Sequence, residues 1–462
     1  MLLLLRNKPL RATIQRTALP AMLEMILYML IGIVDVAVVG RLGAVPLAAV
    51  SLGAEIFFEV ILFLGALGIG AAVLAAQARG AGNVHEAEQI AGQTLLLGLL
   101  MGCLSGFLGV YYADFLVGLF RVEPAVHALA VRYVQITFAI APLGVLYTML
   151  SSLYRGWGRT EIPMYVAIVL NIVNCIGCYV LVYGKFGFPA LGVAGSALAT
   201  AIAHVVGCLI IFTILIRGGG GLKLRWDAIR RLQRQVLKRI FSLGLPSFVE
   251  QFFNNLSIMI AVYLIVFTGT VSYAAHQVGV IVESISYMPG FGIAIAATTL
   301  VGQSVGARDK ERLLQATRGT IEFGLLFMGF FALLFALFPF PIARLFTHDP
   351  AIIAIAGLLI RIAALEQLTI ALSMVMGGIL KGSGDTRTPM VITVLATWAY
   401  RIPMLYLVII VLAQPIQIAW LVFISDWLLR AIAFYLAYRR RTRPDGPFLS
   451  TFEPQESSAP AQ

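Results

Sequence analysis

Long apolar runs separated by short polar stretches dominate the pattern of this chain. Runs of about 20 or more apolar residues, such as 19–40, 164–184 and 390–413, suit helices that cross a hydrocarbon core about 30 Å thick. The chain lacks the ten-residue segments of alternating polarity that are typical of membrane barrels. The pattern therefore predicts an all-α polytopic membrane protein.

Glycine, proline and charge clusters break the apolar sequence into twelve candidate transmembrane helices. Their predicted bounds are 18–40, 46–77, 91–120, 130–153, 163–184, 192–216, 241–268, 272–304, 316–343, 351–379, 390–413 and 416–438.

Composition excludes a soluble protein, because 60% of the residues are hydrophobic, only 12% are charged and the mean hydropathy is +0.93. A soluble domain carries roughly 25% charged residues. The formal charge of +11 comes from basic residues placed between the apolar runs. We interpret these basic residues as signals that set the orientation of the chain in the membrane, where they lie next to lipids. We expect no nucleic-acid partner.

The distribution of lysine and arginine predicts the orientation of the chain. If the N-terminus is inside, 25 of the 33 basic residues fall on inside segments and four on outside segments. The positive-inside rule therefore predicts cytoplasmic N- and C-termini in the cell (inner) membrane. Four arginines lie deeper within the spans: Arg132, Arg361, Arg401 and Arg430.

The two halves of the chain repeat each other at a constant offset, so that position n of the first half matches position n + 226 of the second. Leu19, Pro20 and Glu24 match Leu245, Pro246 and Glu250, Gln77 and Gly80 match Gln303 and Gly306, and residues 156–164 match 382–390 at five of nine positions. With six spans each, both copies enter the membrane in the same orientation, related by an axis along the membrane normal. We therefore predict two pseudo-symmetric six-helix bundles around a central cavity.

The repeat also sets the predicted domains. An N-lobe with helices one to six covers 1–216, and a basic cytoplasmic linker covers 217–239. A C-lobe with helices seven to twelve covers 240–440, and a disordered cytoplasmic tail covers 441–462.

Two local motifs give this arrangement a family resemblance. The first predicted helix holds Asp-x-x-x-x-Gly-x-x-Gly at 35–43, and the repeated loops at 156–164 and 382–390 both read Gly-x-Gly-x-Thr-x-x-Pro-Met. The chain resembles the multidrug and toxic compound extrusion (MATE) transporters, with a first lobe closer to the bacterial and archaeal DinF-like pattern. The resemblance implies a secondary exporter of cationic or amphipathic compounds. It would be driven by inward flow of protons or sodium ions and alternate between outward-open and inward-open forms.

Carboxylates inside the predicted spans are the main candidates for chemistry, because an ionised one at mid-bilayer costs at least ~2.5 kcal/mol. Helix geometry places Asp35 about 22 Å beyond Pro20, and it places Asn174 and Cys178 about 16 and 22 Å beyond Pro163. Asp35 and the polar face of helix five can thus meet at similar depth. The predicted cation-coupling group is Asp35, Asn171, Asn174 and Cys178. The alternative is that Asp35 only hydrogen-bonds helix five and holds the lobe together.

The family resemblance adds roles to this group. Asp35 and Asn174 match positions that the family uses for cation coupling. Cys178 stands where many relatives of the DinF-like branch carry a second aspartate, which favours protons over sodium. Protonation of Asp35 would repack helix one near Pro20, the expected hinge.

A second set of polar residues is predicted to line the substrate cavity: Glu24, Glu250, Glu283 and Gln277. For the repeat partners Glu24 and Glu250, the alternative is capping of a helix start. For Glu283 it is pairing with Arg361 or Arg401. Asp426 precedes Arg430 by four residues, a spacing that favours a structural ion pair.

Other chemistry is not indicated. The five histidines lack metal-ligand spacing and no nucleophile-base-acid set is present, so we expect no enzyme and no cofactor beyond the transported proton or sodium ion. The expected partners are small organic cations or amphipaths, and the expected state is a monomer. The alternative function is a flippase for a lipid-linked intermediate. Acidic residues outnumber basic ones within the spans by ten to five, when Arg318 at a span edge is added to the four deeper arginines, and this favours cationic cargo.

Overall fold

The computed structural model describes residues 7–442, which are helical throughout apart from their connections and contain no strand. Within that range, eleven helices are long and apolar enough to cross a membrane, and a bent helix pair makes a twelfth span. The spans are α1 Lys8–Leu42, α2 Ala44–Gly80, α3 Val84–Tyr111, α4 Pro124–Ala139 with Ala141–Gly156, α5 Glu161–Tyr183, α6 Val193–Ile216, α7 Arg234–Val266, α8 Thr270–Gly306, α9 Lys310–Leu337, α10 Pro350–Gly382, α11 Arg387–Val411 and α12 Ile416–Arg441. The all-α prediction is confirmed. The predicted disordered tail lies outside the described residues, apart from its first two positions.

Several helix bounds differ from the predicted ones for local reasons. α1 begins ten residues early, because Asn7 accepts a hydrogen bond from the Leu10 amide (3.0 Å) and caps its start. The run predicted to end at 343 breaks before Pro339, which starts the short helix Pro339–Arg344. The two segments of α4 meet at 58°. α7 begins at Arg234, so the last residues of the predicted linker belong to this helix.

The connections between helices alternate between two faces of the molecule. We call the face with Lys8, the linker 217–233 and Arg441 the linker face, and the opposite one the far face. On the linker face, the Gln93 side chain of α3 donates to the carbonyls of Ala228 (2.7 Å) and Arg231 (3.0 Å). These bonds fix the linker, including its short helix Trp226–Arg230, against the first half of the chain.

The buried apolar side chains form separate cores in the two halves. Among the described residues, the largest core draws on α1–α6, the short helix Ala113–Gly118 and the linker, and it includes Ile240 of α7. A second core, from Ala261 to Val422, belongs to the second half. A third joins Ala18 and Met22 of α1 to Ile293 of α8. The packing therefore follows the repeat, and the domain bounds given above stay a prediction.

Glycines let the two halves approach each other near the linker face. A Cβ atom on Gly80 would overlap the carbonyl of Gln303, and a Cβ on Gly306 would overlap the carbonyl of Gln77. These four residues are partners in the sequence repeat, so the contact is reciprocal. Farther from this face, Gly292 of α8 approaches Met22 of α1 with a Cβ-to-nitrogen distance of 2.5 Å. The backbones of α2 and α8 touch because side chains are absent there.

Candidate functional site

Asp35 lies in the far-face half of α1 and is 1% exposed. Its Oδ1 accepts hydrogen bonds from Cys178 Sγ (2.9 Å) and Asn174 Nδ2 (3.4 Å) of α5. Its Oδ2 accepts one from Thr200 Oγ1 (3.3 Å) of α6. The predicted meeting of helices one and five at this depth is therefore observed. Whether the group couples a cation is a separate question.

The structure changes the membership of this group. The Asn171 side chain donates to the carbonyl of Ala167 (2.9 Å) on its own helix, one turn away, and does not contact Asp35. Thr200, which the sequence analysis missed, takes its place and also accepts from Asn174 Nδ2 (3.2 Å). A signal was present, because Ser196, Thr200 and His204 form a polar row at four-residue spacing on the apolar helix α6.

The electrostatics of Asp35 are unusual for a buried carboxylate. In the described part of the chain, no lysine, arginine or histidine forms an ion pair with it, and its hydrogen-bond donors are all neutral. An unpaired ion in a low-dielectric interior costs several kcal/mol even after relaxation. The site is therefore suited to a carboxylate that takes up a proton or a small cation.

Glu24 and Glu250 do not cap helix starts, because α1 and α7 begin at Lys8 and Arg234, about four turns earlier. Glu24 instead pairs with Arg155 of α4 (2.7 Å), and Glu250 pairs with Lys381 of α10 (2.9 Å). Arg155 and Lys381 are repeat partners, as are the two glutamates. The repeat therefore carries a pair of equivalent ion pairs, which the sequence analysis missed because the basic residue differs.

A cavity with an empty volume of about 1330 Å³ lies between the halves. Its walls include Arg155 from the first half and Glu250 and Lys381 from the second. Glu24 reaches this cavity only through its partner Arg155. Near the same level, Asn255 of α7 donates a hydrogen bond to Glu59 of α2. The halves thus meet between the linker face and mid-depth, in a cavity that has both apolar and charged walls.

Glu283 and Gln277 of α8 line a second cavity, of about 1070 Å³, formed largely by α7, α8 and α12. Arg401 lines it too and acts on Glu283 electrostatically, whereas Arg361 stacks on Phe340 at 5.6 Å and is not a partner. Gln277 donates to Tyr273 Oη (2.6 Å). Of the four predicted cavity residues, Glu250 lines the first cavity, Glu283 and Gln277 line the second, and Glu24 lines neither.

The predicted ion pair of Asp426 and Arg430 on α12 is confirmed, with Oδ2 and Nη2 2.9 Å apart. Arg401 of α11 binds the same carboxylate oxygen. Pro20 lies inside the continuous helix α1 and is half-buried, and its hinge role stays a prediction.

Comparisons with known proteins agree with this architecture. The MatE family profile matches residues 20–180 and 246–407, two segments that begin at the repeat partners Pro20 and Pro246. A probable multidrug resistance protein NorM of Thermotoga maritima is 32% identical over 437 residues and 92% of each chain. The uncharacterized transporter YisQ of Bacillus subtilis is 27% identical over 429 residues, which cover 91% of this chain and 92% of that protein.

Solved structures show the same fold. A MOP superfamily transporter from Pyrococcus furiosus, described as having a binding pocket of reverse polarity, superposes with a TM-score of 0.87 at 22% identity and 96% coverage of both chains. A multidrug resistance MATE family transporter in an outward-facing conformation gives a TM-score of 0.84 at 24% identity, covering 93% of this chain and 95% of that one. The predicted two-bundle, twelve-helix architecture is confirmed. The chain therefore belongs to the MatE family of multi-pass membrane transporters, as its resemblance predicted.

Proposed function

We propose that this transporter exports organic cations and amphipathic compounds in exchange for protons, with Asp35 as the coupling carboxylate. Relatives that are named probable multidrug resistance proteins support the cargo. The observation that carries the coupling role is the burial of Asp35 among the neutral donors Asn174, Cys178 and Thr200. A carboxylate that only held α1 to α5 would gain more from a permanent basic partner.

The proposed cycle uses the change of charge at Asp35. In the ionised state, Asp35 is held by its three donors. Uptake of a proton from the far side removes the charge, weakens these hydrogen bonds and frees α1 to repack about Pro20, which expels the cargo. Release of the proton on the linker side resets the site. The membrane supplies ~2.3 kcal/mol per charge per 100 mV and ~1.36 kcal/mol per pH unit.

The positive-inside assignment makes the linker face cytoplasmic, and both termini with it. The reciprocal contacts of Gly80 and Gly306 then close the cytoplasmic side, which supports an outward-open resting conformation. Alternating access requires these contacts to separate.

The lining of the second cavity has two carboxylates, Glu283 and Glu366, against one arginine, Arg401, and this excess favours positively charged cargo there. Arg155, Arg401 and Arg430 are each paired with a carboxylate, so none of them is free to bind a pyrophosphate group. This arrangement disfavours the flippase alternative.

Reconstituted proteoliposomes test the proposal. We expect ethidium uptake driven by an imposed proton gradient, and a loss of at least ~100-fold in Asp35→Asn because the neutral amide cannot titrate. Asp114→Asn is the matched control, since Asp114 lies on the short helix Ala113–Gly118 with its side chain 85% exposed. This variant should transport normally.

Each other outcome contradicts part of the proposal. Uptake driven by sodium alone would replace the proton with Na⁺ as the coupling ion. Translocation of a lipid-linked pyrophosphate without ethidium transport would favour the flippase. Equal uptake with and without a gradient would indicate a passive channel. Unchanged coupled transport in Asp35→Asn would remove Asp35 from the mechanism.

A further inference from the structure

Five ionisable side chains of the second half form a cluster next to the second cavity, in which four are buried and one is half-buried. They come from four helices: Glu283 of α8, Glu366 of α10, Arg401 of α11, and Asp426 and Arg430 of α12. Glu366 is only 2% exposed, yet it lines the cavity wall. It lies within electrostatic range of the other four groups.

The charges of this cluster do not balance. Asp426 is bound by Arg401 and Arg430 together, and its own side chain is fully buried. Glu283 and Glu366 add two further carboxylates, so three acids face two guanidinium groups. Oε2 of Glu366 is buried and has no hydrogen-bond partner among the residues that the structure describes. If all five groups were ionised, the cluster would carry one uncompensated negative charge in a low-dielectric interior, which is costly.

The repeat shows that this cluster occupies the position of the Asp35 site in the other half. At the offset of the repeat, Thr200 corresponds to Asp426, and Asn174 corresponds to Tyr400, next to Arg401. The π-helical stretch Ala396–Arg401 supplies the extra residue. The Asn174–Thr200 hydrogen bond of the first half thus corresponds to the Arg401–Asp426 ion pair of the second.

The acid itself has moved between helices. The position in α7 that corresponds to Asp35 is Ala261, which lines the same cavity as Glu283 and Glu366. The second half therefore has a polar site at the depth that corresponds to Asp35, but the negative charge of this site comes from α8 and α10.

We propose that Glu283 and Glu366 hold one proton between them, and that the cationic group of a ligand in the adjoining cavity displaces it. The proton leaves one carboxyl oxygen for water in the cavity, and the ligand's positive charge replaces it, so the net charge of the cluster stays at zero. Tyr287 lines this cavity next to Trp420 and Trp427 and supplies an aromatic face that favours a cation, whereas Arg430 already lies 4.7 Å from the centre of the Trp427 ring. This inference rests on the proposed function in one respect, which is that the ligand is an organic cation.

The surroundings leave few other groups that could accept the proton. On α8, His276 accepts a hydrogen bond from Trp420 Nε1 (3.1 Å), and Tyr287 stays close to Glu283 and Arg430. The α7 wall presents Asn254 and apolar residues, with Glu250 farther along and paired to Lys381. α9 contributes Met328 and other apolar side chains.

Proton release on ligand binding tests this inference directly. Ethidium is titrated into the detergent-purified full-length protein in sodium-free buffers of different ionisation enthalpy, and calorimetry gives the protons released per ligand bound. We expect Glu366→Gln and Glu283→Gln each to lower this number by about one, because either change leaves two acids facing two arginines. Asp309→Asn is the control, since Asp309 is exposed and asparagine caps α9 equally well.

The outcomes separate this inference from the role of Asp35. If Asp35→Asn lowers proton release while both glutamine variants match the unmodified protein, the exchange site is wrong and the proposed coupling stands. If both glutamine variants lower release while Asp35→Asn transports normally, the exchange site stands and the coupling role of Asp35 fails. Absence of proton release from the unmodified protein also overturns the inference. Thermal unfolding checks that each variant is folded, and the two glutamine variants provide independent tests.

Discussion

At the scale of single residues, the proposed cycle makes the three neutral donors around Asp35 decide how readily this carboxylate gives up its proton. Thr200→Val removes the hydroxyl 3.3 Å from Oδ2 while keeping the shape of the side chain. A hydrogen bond to a charged group contributes about 1.5–3 kcal/mol, and one pH unit corresponds to ~1.36 kcal/mol. Because the ionised form loses a donor, we expect the pH profile of ethidium transport to move upward by about one unit.

Thr213→Val on the same helix is the matched control for this prediction. The Thr213 hydroxyl donates to the Leu209 carbonyl (2.6 Å) on an exposed part of α6, away from Asp35. The pH profile of ethidium transport should be unchanged in Thr213→Val. An unshifted profile in Thr200→Val would show that this hydroxyl does not affect the coupling step.

The two repeat-related ion pairs should differ in their contribution to stability. The Glu24 side chain is 2% exposed and that of Glu250 is 15% exposed. Removing one partner of a buried pair costs about 3–5 kcal/mol, because the other charge stays buried. We therefore expect Arg155→Ala to lower the thermal unfolding temperature more than Lys381→Ala does. The double variant Glu24→Gln with Arg155→Ala should recover part of the loss, and equal effects at Arg155 and Lys381 would contradict this account.

Residue-level prediction from sequence worked where depth along a helix decided the contact. Asp35, Asn174 and Cys178 meet because their distances from Pro20 and Pro163 agree. It failed for Asn171 and Thr200, since which face of α5 turns toward α1, and how α6 packs beside them, depends on side chains of all three helices. Partner choice for Glu24 was also out of reach, because Arg155 is 131 residues away.

At the scale of helices, the glycines of α2 and α8 determine how closely the halves approach. A Cβ on Gly80 would meet backbone of α8, which cannot move aside as a flexible side chain could. Overpacking of this kind costs about 1–3 kcal/mol. We expect Gly80→Ala to weaken closure at the linker face, so that a cysteine introduced at Thr298, on the cavity wall, reacts faster with a thiol reagent added from that face.

Gly32→Ala is the comparison for this helix-scale prediction. Gly32 lies within α1 and has no atom within 4 Å of an added Cβ, so alanine should be neutral or slightly stabilising through its better helix propensity. Equal labelling rates in the two variants would show that the Gly80 contact does not hold the linker face closed.

Sequence predicted the helices better than their ends. Apolar runs located all twelve spans, since each must match the bilayer thickness. The early start of α1 depends on its N-terminal cap, and the break before Pro339 depends on a proline nitrogen that has no hydrogen to donate. Both effects act within one helical turn. Hydropathy averages over such features.

At the scale of the whole molecule, the repeat explains why the contacts between the halves come in pairs. Gly80 meets Gln303 while Gly306 meets Gln77, and Glu24–Arg155 corresponds to Glu250–Lys381. The Asp35 site and the cluster around Glu366 break this symmetry. Sequence comparison revealed the shared scaffold because backbone contacts demand the same small residues. It did not reveal the exchange of a neutral hydrogen bond for an ion pair, since charge can move between helices without changing the packing.

The proposed alternating access requires the halves to separate at the linker face, and a disulfide across it should then stop transport. A Cβ on Gly302 would lie 2.7 Å from the Ala76 Cβ, so a small shift brings a cysteine pair to the usual disulfide spacing of about 3.8 Å. In Ala76→Cys with Gly302→Cys, after replacement of the exposed Cys103 and Cys175, we expect oxidation to abolish proton-driven ethidium transport and reduction to restore it. Mass spectrometry of the linked peptides measures the extent of the bond.

A second disulfide, placed where the halves are not joined, separates loss of motion from damage by oxidation. A Cβ on Gly92 of α3 would lie 2.8 Å from the Cβ of Ala228 in the linker. The Gln93 side chain already holds the linker against α3. Oxidation of Gly92→Cys with Ala228→Cys should therefore leave transport unchanged. Full transport by a completely crosslinked 76–302 pair would mean that the cycle proceeds with α2 and α8 in contact. The exit for the proton would then have to lie within one half.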